Sequence, residues 1–197
     1  MPQIEFWYDF ASTYSYLTAM RIGPLAEAAG VQVAYRPFLL GPIFKAQGLT
    51  TSPFAANPIK GRYMARDIGR IATARGLLFH VPAPFPAHSL AAARSAMVAE
   101  AEGWIEPFTR AVFAAEFAGR EDIASTDVLG RIVSGLGHDP VRISTAAGTT
   151  ENKAALRDRT EAAAAKDIFG APTFLTEDGE LFWGDDRLEQ ALAWANK

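Results

Sequence analysis

Apolar side chains cluster or alternate at the two ends of the chain in ways that predict β-strands. Residues 3–8 combine aromatic and β-branched side chains, and residues 31–38 alternate between apolar and polar. Between them, residues 15–29 carry apolar side chains at helical spacing; Gly30 ends this helix, and Pro24 predicts a kink at the residue before it. The chain therefore opens as strand, helix, strand, the unit that forms a parallel pair.

The middle of the chain is rich in alanine and mostly helical in pattern. Residues 39–59 are instead rich in Gly, Pro, Thr and Ser and predict a loop, and the prolines in residues 80–88 predict an extended loop. Helical spacing of apolar positions predicts helices over residues 60–76, 89–117 with a break at Gly103, 127–136, 138–147 and 150–166.

Strands return only near the C-terminal end. Residues 172–176 and 181–183 read as two strands joined by a hairpin turn that contains Asp-Gly, and residues 187–195 as a closing helix. The predicted order is therefore β-α-β, a long helical insertion, then β-β-α, which is an α/β fold.

The amino-acid composition argues against several classes of function. The net charge of −3 gives no sign of a nucleic-acid binder, and the absence of cysteine excludes disulfides, thiolate metal sites and a cysteine nucleophile. Three scattered histidines without ligand spacing predict no metal site. Neither a signal peptide nor an apolar run of about 18 residues is visible, so we expect a cytoplasmic protein without a membrane partner.

Two short motifs at element boundaries could carry chemistry. Ser12 lies where the first strand gives way to a helix, so its hydroxyl could cap that helix or donate to a bound anion. Ala171-Pro172 lies at the entry to a strand, where a cis bond would leave backbone groups free to pair with a peptide-like ligand.

Two further sets of polar residues allow a structural and a functional interpretation. Asp185 and Asp186 open the last helix, where they could serve as capping acids or receive a ligand ammonium group. The predicted helical insertion also carries amide and cationic side chains that are either a solvated helix face or part of a pocket; they are Asn57, Lys60, Arg62, Arg66 and His88.

The order and spacing of these motifs resemble the DsbA-like branch of the thioredoxin fold. Its redox enzymes carry Cys-x-x-Cys where this chain has Ser12-Thr13-Tyr14-Ser15, so thiol–disulfide exchange with its own residues is excluded. Within that branch the chain resembles the 2-hydroxychromene-2-carboxylate isomerase family, which is related to kappa-class glutathione transferases. The stretches that carry the resemblance are Asp9-Phe10-x-Ser12-x-Tyr14-Ser15-Tyr16-Leu17, Asn57-Pro58-x-Lys60-x-x-Tyr63-x-x-Arg66-Asp67, Phe85-Pro86-x-x-Ser89, Phe169-Gly170-Ala171-Pro172-Thr173-Phe174 and Phe182-Trp183-Gly184-x-Asp186-Arg187-Leu188.

The resemblance implies a thioredoxin-like domain of residues 1–40 and 167–197, a linker and helical insertion over residues 41–166, and a homodimer. It also implies glutathione as cofactor. Ser12 would hold the glutathione sulfur, Ala171 and Pro172 would pair with its cysteinyl backbone, and Asp185 and Asp186 would bind its γ-glutamyl end. Asn57 and Lys60 would contact either its glycyl end or the second substrate.

The expected reaction is an isomerisation of a 2-hydroxychromene-2-carboxylate-type intermediate of aromatic degradation, with the glutathione thiolate as a transient nucleophile. The substrate carboxylate needs a cation, and Lys60, Arg62 and Arg66 are the candidates. Family members often have asparagine where this chain has His88, so His88 is either an altered pocket residue or a loop histidine. Two alternatives stay open: a kappa-like glutathione transferase that conjugates electrophiles, and a redox-inactive thioredoxin-fold binding protein.

Overall fold

A four-stranded sheet with the strand order β2-β1-β3-β4 lies at the centre of the computed structural model, which describes residues 1–197. The strands are β1 (Gln3–Tyr8), β2 (Gln32–Pro37), β3 (Thr173–Thr176) and β4 (Leu181–Trp183). β1 pairs parallel with β2 and antiparallel with β3, and β3 pairs antiparallel with β4. This is the predicted combination of a β-α-β unit from the first part of the chain with a β-β-α unit from the last.

Helices fill the rest of the chain. They are α1 (Thr13–Ala19), α2 (Ile22–Ala29), α3 (Leu40–Ala46), α4 (Pro53–Ala56), α5 (Pro58–Ala74), α6 (Leu90–Ala101), α7 (Ile105–Phe113), α8 (Thr126–Gly135), α9 (Pro140–Ala147), α10 (Thr150–Ala165) and α11 (Leu188–Ala195). A π-helical turn (Ala114–Ala118) extends α7, and a 3-10 turn (Asp185–Arg187) precedes α11. No helix in the chain is both long and apolar enough to cross a bilayer.

Both faces of the central strand β1 are buried. Phe6 and Tyr8 point into the larger apolar cluster, where their rings stack at 4.8 Å, whereas Trp7 points to the opposite face and packs against Phe38. Side chains alternate between the faces of a strand, so a strand covered on both sides must be apolar or aromatic at consecutive positions. This explains why residues 3–8 show aromatic enrichment more clearly than alternation.

Two predictions from the first part of the chain are corrected. The helix predicted over residues 15–29 is divided into α1 and α2 at Met20 and Arg21, before the expected kink, because Pro24 lies in the first turn of α2, where its missing N–H is tolerated. Residues 39–59, predicted as a loop, contain α3 and α4. The proline and serine that suggested a loop start α4, with Pro53 as its first residue and Ser52 as its N-cap.

The alanine-rich middle of the chain is helical as predicted. The break at Gly103 is present, and this glycine has φ +82°, a left-handed conformation in which it lacks the steric penalty of other residues. Small side chains let helices approach α6 from several directions, so residues on most of its surface are buried. The helices of the middle segment cover both faces of the sheet: α6 and α7 belong to the larger apolar cluster with Phe6 and Tyr8, whereas Ile43 of α3 and Ala163 of α10 pack with Trp7 in the smaller one.

A buried hydrogen bond joins the sheet to the insertion. The hydroxyls of Tyr8 on β1 and Thr109 on α7 lie 2.6 Å apart, and both residues are inaccessible to solvent. Phe113 of α7 packs on the Tyr8 ring from the same side. The contact places α7 and its π-helical turn at a fixed position relative to the end of β1.

We predict that Tyr8→Phe lowers the free energy of unfolding by about 1–2 kcal/mol, because it leaves the Thr109 hydroxyl buried without a partner. Thr109→Val leaves the Tyr8 hydroxyl buried without a partner in the same way. Urea denaturation should show that the double variant loses less than the sum of the single losses, with a coupling of about 1 kcal/mol. Strictly additive losses would contradict a shared hydrogen bond, and Tyr63→Phe, at an exposed position, serves as the neutral control.

Candidate functional site

The Ser12 hydroxyl lies between the start of α1 and the loop before β3. Ser12 is the N-cap of α1, and its side-chain oxygen accepts a hydrogen bond from the Ser15 N–H at 3.2 Å. The same hydroxyl donates to the Ala171 carbonyl at 3.1 Å. Ser12 therefore caps the helix, as one interpretation of the sequence had it. It also contacts the Ala171-Pro172 motif, since Ala171 lies 159 residues further along the chain. The structure brings together the two motifs that the sequence singled out.

The loop before β3 has the geometry expected of a backbone recognition element. The Ala171–Pro172 bond is cis, as the motif predicted, and the Ala171 N–H donates to no acceptor within the protein. Gly170 is required beside it, because a Cβ there would lie 2.5 Å from Nε1 of Trp183. An unpaired N–H next to a half-buried surface is available to an extended, peptide-like ligand.

Asp9 holds the strand-to-helix loop on which Ser12 sits. Its Oδ1 accepts the Ala11 N–H at 2.9 Å and its Oδ2 accepts the Leu40 N–H at 2.7 Å. Burial raises the pKa of Asp9, while these two N–H groups and the Ser89 side chain act to lower it. Asp9 belongs to a family motif but had no predicted role; an acid directly after a buried strand was the sequence signal for it.

The adjacent carboxylates of Asp185 and Asp186 have opposite environments. Asp185 is buried, and its two oxygens accept hydrogen bonds from Thr18 at 3.0 Å, from Arg21 at 3.2 Å and, through both arms of one guanidinium, from Arg75 at 3.1 and 2.7 Å. With so many donors already bound, Asp185 ties α1, α2 and α5 to the 3-10 turn. This differs from the expectation that both acids face a ligand.

Asp186 is the carboxylate of the pair that faces outward, with its side chain 73% exposed. Its negative charge contributes to the raised pKa of Tyr14, for which burial and the hydrogen bond to Asp67 are the larger causes. Asp186 therefore lies near Tyr14 of α1 and Asp67 of α5. Its neighbour Gly184 has φ +113°, and a Cβ there would approach Oδ1 of Asp186 to 2.6 Å, so this position needs glycine.

Helix α5 presents its candidate side chains on different faces. Asn57 caps it, with Oδ1 accepting the N–H groups of Ile59 and Lys60 at 3.1 Å each. Lys60 shares a helical face with Asp67, which accepts a hydrogen bond from the Tyr14 hydroxyl at 2.9 Å.

Arg62 lies instead on the helical face of Ala65, with Arg66 one turn further along the same face. Lys60, Arg62 and Arg66 are all exposed, and none of them forms an ion pair within the chain.

An open cavity of about 670 Å³ lies between α5, the proline-rich loop and the π-helical turn. His88 lines it, together with His80, whose Nδ1 accepts a hydrogen bond from Arg120 at 2.9 Å. Glu116 also lines it and was not singled out from the sequence. A single acid in the apolar run of residues 111–118 was the signal that could have found it. No cluster of acids and histidines in the chain could hold a metal ion.

Comparison with known proteins agrees with this architecture. The family model of the DSBA-like thioredoxin domain matches residues 3–193. The chain is 27% identical over 191 residues to a 2-hydroxychromene-2-carboxylate isomerase of Pseudomonas putida, covering 94% of this chain and 90% of the relative. It is also 27% identical over 190 residues to the protein of the same name from Sphingobium xenophagum, covering 94% of each.

Solved structures show the same fold. A 2-hydroxychromene-2-carboxylate isomerase superposes with a TM-score of 0.89 at 24% identity, covering 98% of this chain and 94% of that one. The cytosolic disulfide reductase DsbM from Pseudomonas aeruginosa, solved with GSH, superposes with a TM-score of 0.68 at 19% identity, covering 98% and 96%. At these identities the likeness establishes the fold and leaves the chemistry to the residues of the site.

We predict that Asp185→Ala lowers the free energy of unfolding by about 3 kcal/mol, because it leaves the Arg21 and Arg75 charges without their buried partner. Asp186→Ala, one residue away and exposed, should change it by less than about 0.5 kcal/mol. Urea denaturation followed by circular dichroism measures both variants. Equal losses would contradict the division of roles between the two acids.

Proposed function

Because the chain belongs to the DSBA-like thioredoxin family, we propose that it is a glutathione-dependent isomerase of the 2-hydroxychromene-2-carboxylate type. The observation that carries the proposal is the hydrogen bond between the Ser12 hydroxyl and the Ala171 carbonyl, which joins the position of the redox cysteine to the cis-proline loop. A chain without cysteine needs a thiol from outside to perform sulfur chemistry at this position.

The residues around Ser12 fit a small peptide with a free amino end. The unpaired Ala171 N–H suits the backbone of the cysteinyl residue, and the exposed Asp186 carboxylate suits an ammonium group. The side-chain N–H groups of Asn57 and the exposed Lys60 ammonium, at the start of α5, are donors that suit a carboxylate. When bound, glutathione would supply the thiolate that adds reversibly to a conjugated carbon of the substrate.

Ser12 acts in this proposal as a hydrogen-bond donor and not as a nucleophile: its single O–H, which donates to the Ala171 carbonyl, turns to the sulfur when glutathione binds. A thiol whose pKa falls from about 8.5 to about 6.5 gains roughly 25-fold in thiolate fraction at pH 7. Intrinsic nucleophilicity falls by roughly 8-fold over the same two units, so the benefit of acidity alone is about 3-fold. The larger contribution of Ser12 is to hold the sulfur in one position, since positioning can contribute several kcal/mol.

The cofactor requirement can be tested without knowing the substrate. Glutathione at about 100 times its dissociation constant should stabilise the wild-type protein by roughly 2.7 kcal/mol, measured as a rise in the thermal midpoint. Asp186→Ala should weaken glutathione binding by about 1.5–3 kcal/mol, the value of a hydrogen bond to a charged group. Asp158→Ala, an exposed acid on α10, is the matched control. No stabilisation of the wild type by glutathione would reject the proposal.

Activity assays of Ser12→Ala test the role of the hydroxyl. With a 2-hydroxychromene-2-carboxylate substrate and glutathione, the variant should lose much more than about 3-fold in kcat/KM while still binding glutathione. The ultraviolet absorbance of the bound thiolate should also titrate at a higher pH. A covalent adduct on Ser12, or full activity with an unchanged titration, would remove Ser12 from this role.

The fate of glutathione separates isomerisation from conjugation. An isomerase returns glutathione after each turnover, so its total concentration should stay constant while the substrate is converted. Stoichiometric loss of glutathione into a conjugate would identify a transferase instead. Binding of glutathione without turnover of any electrophile would point to a binding protein.

A further inference from the structure

A second cleft, of about 460 Å³, opens between α2, the edge strand β2 and α7. It shares no lining residue with the larger cavity beside α5. Its floor is apolar, with Pro24 and Ala26 on α2, Val31 just before β2 and Val33 within it. None of the residues placed around Ser12 lines this cleft, so it is separate from the site proposed for glutathione.

The hydroxyl of Tyr35 is buried at this cleft without a hydrogen-bond partner. Tyr35 is 5% exposed, and its ring packs edge-on against those of Phe6 and Tyr8, with ring centroids 5.7 and 6.3 Å apart. The core therefore holds the ring in place, while the residue also forms part of the cleft wall. Buried polar groups in native proteins are nearly always paired, so this hydroxyl needs an explanation.

Two side chains of opposite charge on α7 line the same cleft without pairing. Glu106 and Arg110 are four residues apart, in the order that favours an ion pair along a helix. No ion pair joins them, and neither pairs with any other charged group in the chain. Glu106 instead reaches across to α2 at Gly23, where a Cβ would clash with its Oε1. Both charges are thus available to a ligand.

The remaining charged group of the cleft is the exposed carboxylate of Glu27 on α2. Burial raises the pKa of Tyr35; the nearby Glu106 adds to that rise and Arg110 opposes it. The phenol therefore stays protonated at neutral pH, and its hydroxyl can both donate and accept. A ligand with only a carboxylate would meet two acids, and one with only an ammonium group would lie beside the Arg110 charge. The cleft therefore favours a ligand that carries both groups.

We propose that this cleft binds a free α-amino acid with an apolar side chain. Its carboxylate accepts hydrogen bonds from the Arg110 guanidinium and the Tyr35 hydroxyl, and its ammonium group donates to the Glu106 carboxylate. The side chain lies on the floor formed by Val31 and Val33. A small number of polar groups around an apolar floor is the usual composition of a site for a small molecule.

Titration calorimetry of the wild-type protein, free of glutathione, tests the ligand class. L-Leucine carries both charged groups, whereas L-leucinamide lacks the carboxylate and N-acetyl-L-leucine lacks the ammonium group. Each analogue should bind about 10-fold or more weakly than L-leucine. Equal affinity for either analogue would show that one charge suffices and would overturn the proposal. Absence of L-leucine binding at about 10 mM, enough to saturate a site with a millimolar dissociation constant, overturns it as well.

Two variants test the assigned side chains. Tyr35→Phe removes only the hydroxyl and should weaken L-leucine binding about 5-fold, and Arg110→Gln should weaken it about 10-fold or more. Arg157→Gln, at an exposed position on α10, is the matched control and should leave the affinity unchanged. Unchanged affinity in both Tyr35→Phe and Arg110→Gln would remove the ligand from this cleft.

The thermal midpoint of the free protein separates a binding role of the Tyr35 hydroxyl from a structural one. Without ligand, Tyr35→Phe should leave the midpoint unchanged or raise it, because the hydroxyl has no partner to lose. A fall of about 3 °C would show that Glu106 or another group of the protein already pairs with the hydroxyl, and it would overturn the proposal.

Glutathione must be distinguished from the proposed ligand, because its γ-glutamyl end also carries an α-amino acid group. Asp186→Ala should weaken glutathione binding and leave L-leucine binding unchanged, whereas Arg110→Gln should do the reverse. Loss of L-leucine binding in Asp186→Ala, with full binding in Arg110→Gln, would place leucine at the glutathione site and overturn the inference. If glutathione fails to stabilise the wild type while L-leucine binds as expected, the proposed function fails and this inference holds.

Discussion

The buried Asp9 carboxylate is the interaction on which the geometry of the site depends. It binds the N–H of Ala11 in the loop that leads into α1 and the N–H of Leu40 at the start of α3. Two segments that are 29 residues apart in the chain are thereby held at the same end of β1. No disulfide can brace this region, so the hydrogen bonds of Asp9, together with those of Ser12 to Ser15 and Ala171, hold Ser12 in position. Burial of a carboxylate is unfavourable in free energy, and the hydrogen bonds from these N–H groups offset that loss.

Asp185 and Asp186 show how position decides the role of two identical neighbours. One points into the fold and is saturated by Thr18 and two arginines, while the other points out toward Tyr14. A buried ion pair contributes little net stability compared with an apolar contact, but it demands a defined geometry. The Asp185 cluster thus fixes the orientation of the turn on which Asp186 is displayed.

The sequence predicted the order of elements better than their internal detail. Aromatic enrichment located β1, and Asp-Gly located the hairpin between β3 and β4, because these signals are local. Pro24 and the prolines of residues 39–59 gave wrong predictions of a kink and a loop. Proline is acceptable in the first turn of a helix, and only the fold shows where that turn begins. For the site, the family motifs singled out Ser12 and Ala171, which a hydrogen bond joins in the structure. The burial of Asp185 and of Glu116 did not follow from the motifs, because burial depends on side chains distant in the sequence.

The site keeps the surroundings of a reactive sulfur but contains no sulfur of its own. Ser12 stands at the first position of the motif, yet a hydroxyl there titrates far too high to ionise as a thiol does, and it serves as cap and donor instead. The Ala171 N–H beside it has no acceptor within the protein. Under the proposed function the nucleophile arrives only with a bound thiol, so recognition of the thiol carrier becomes part of catalysis.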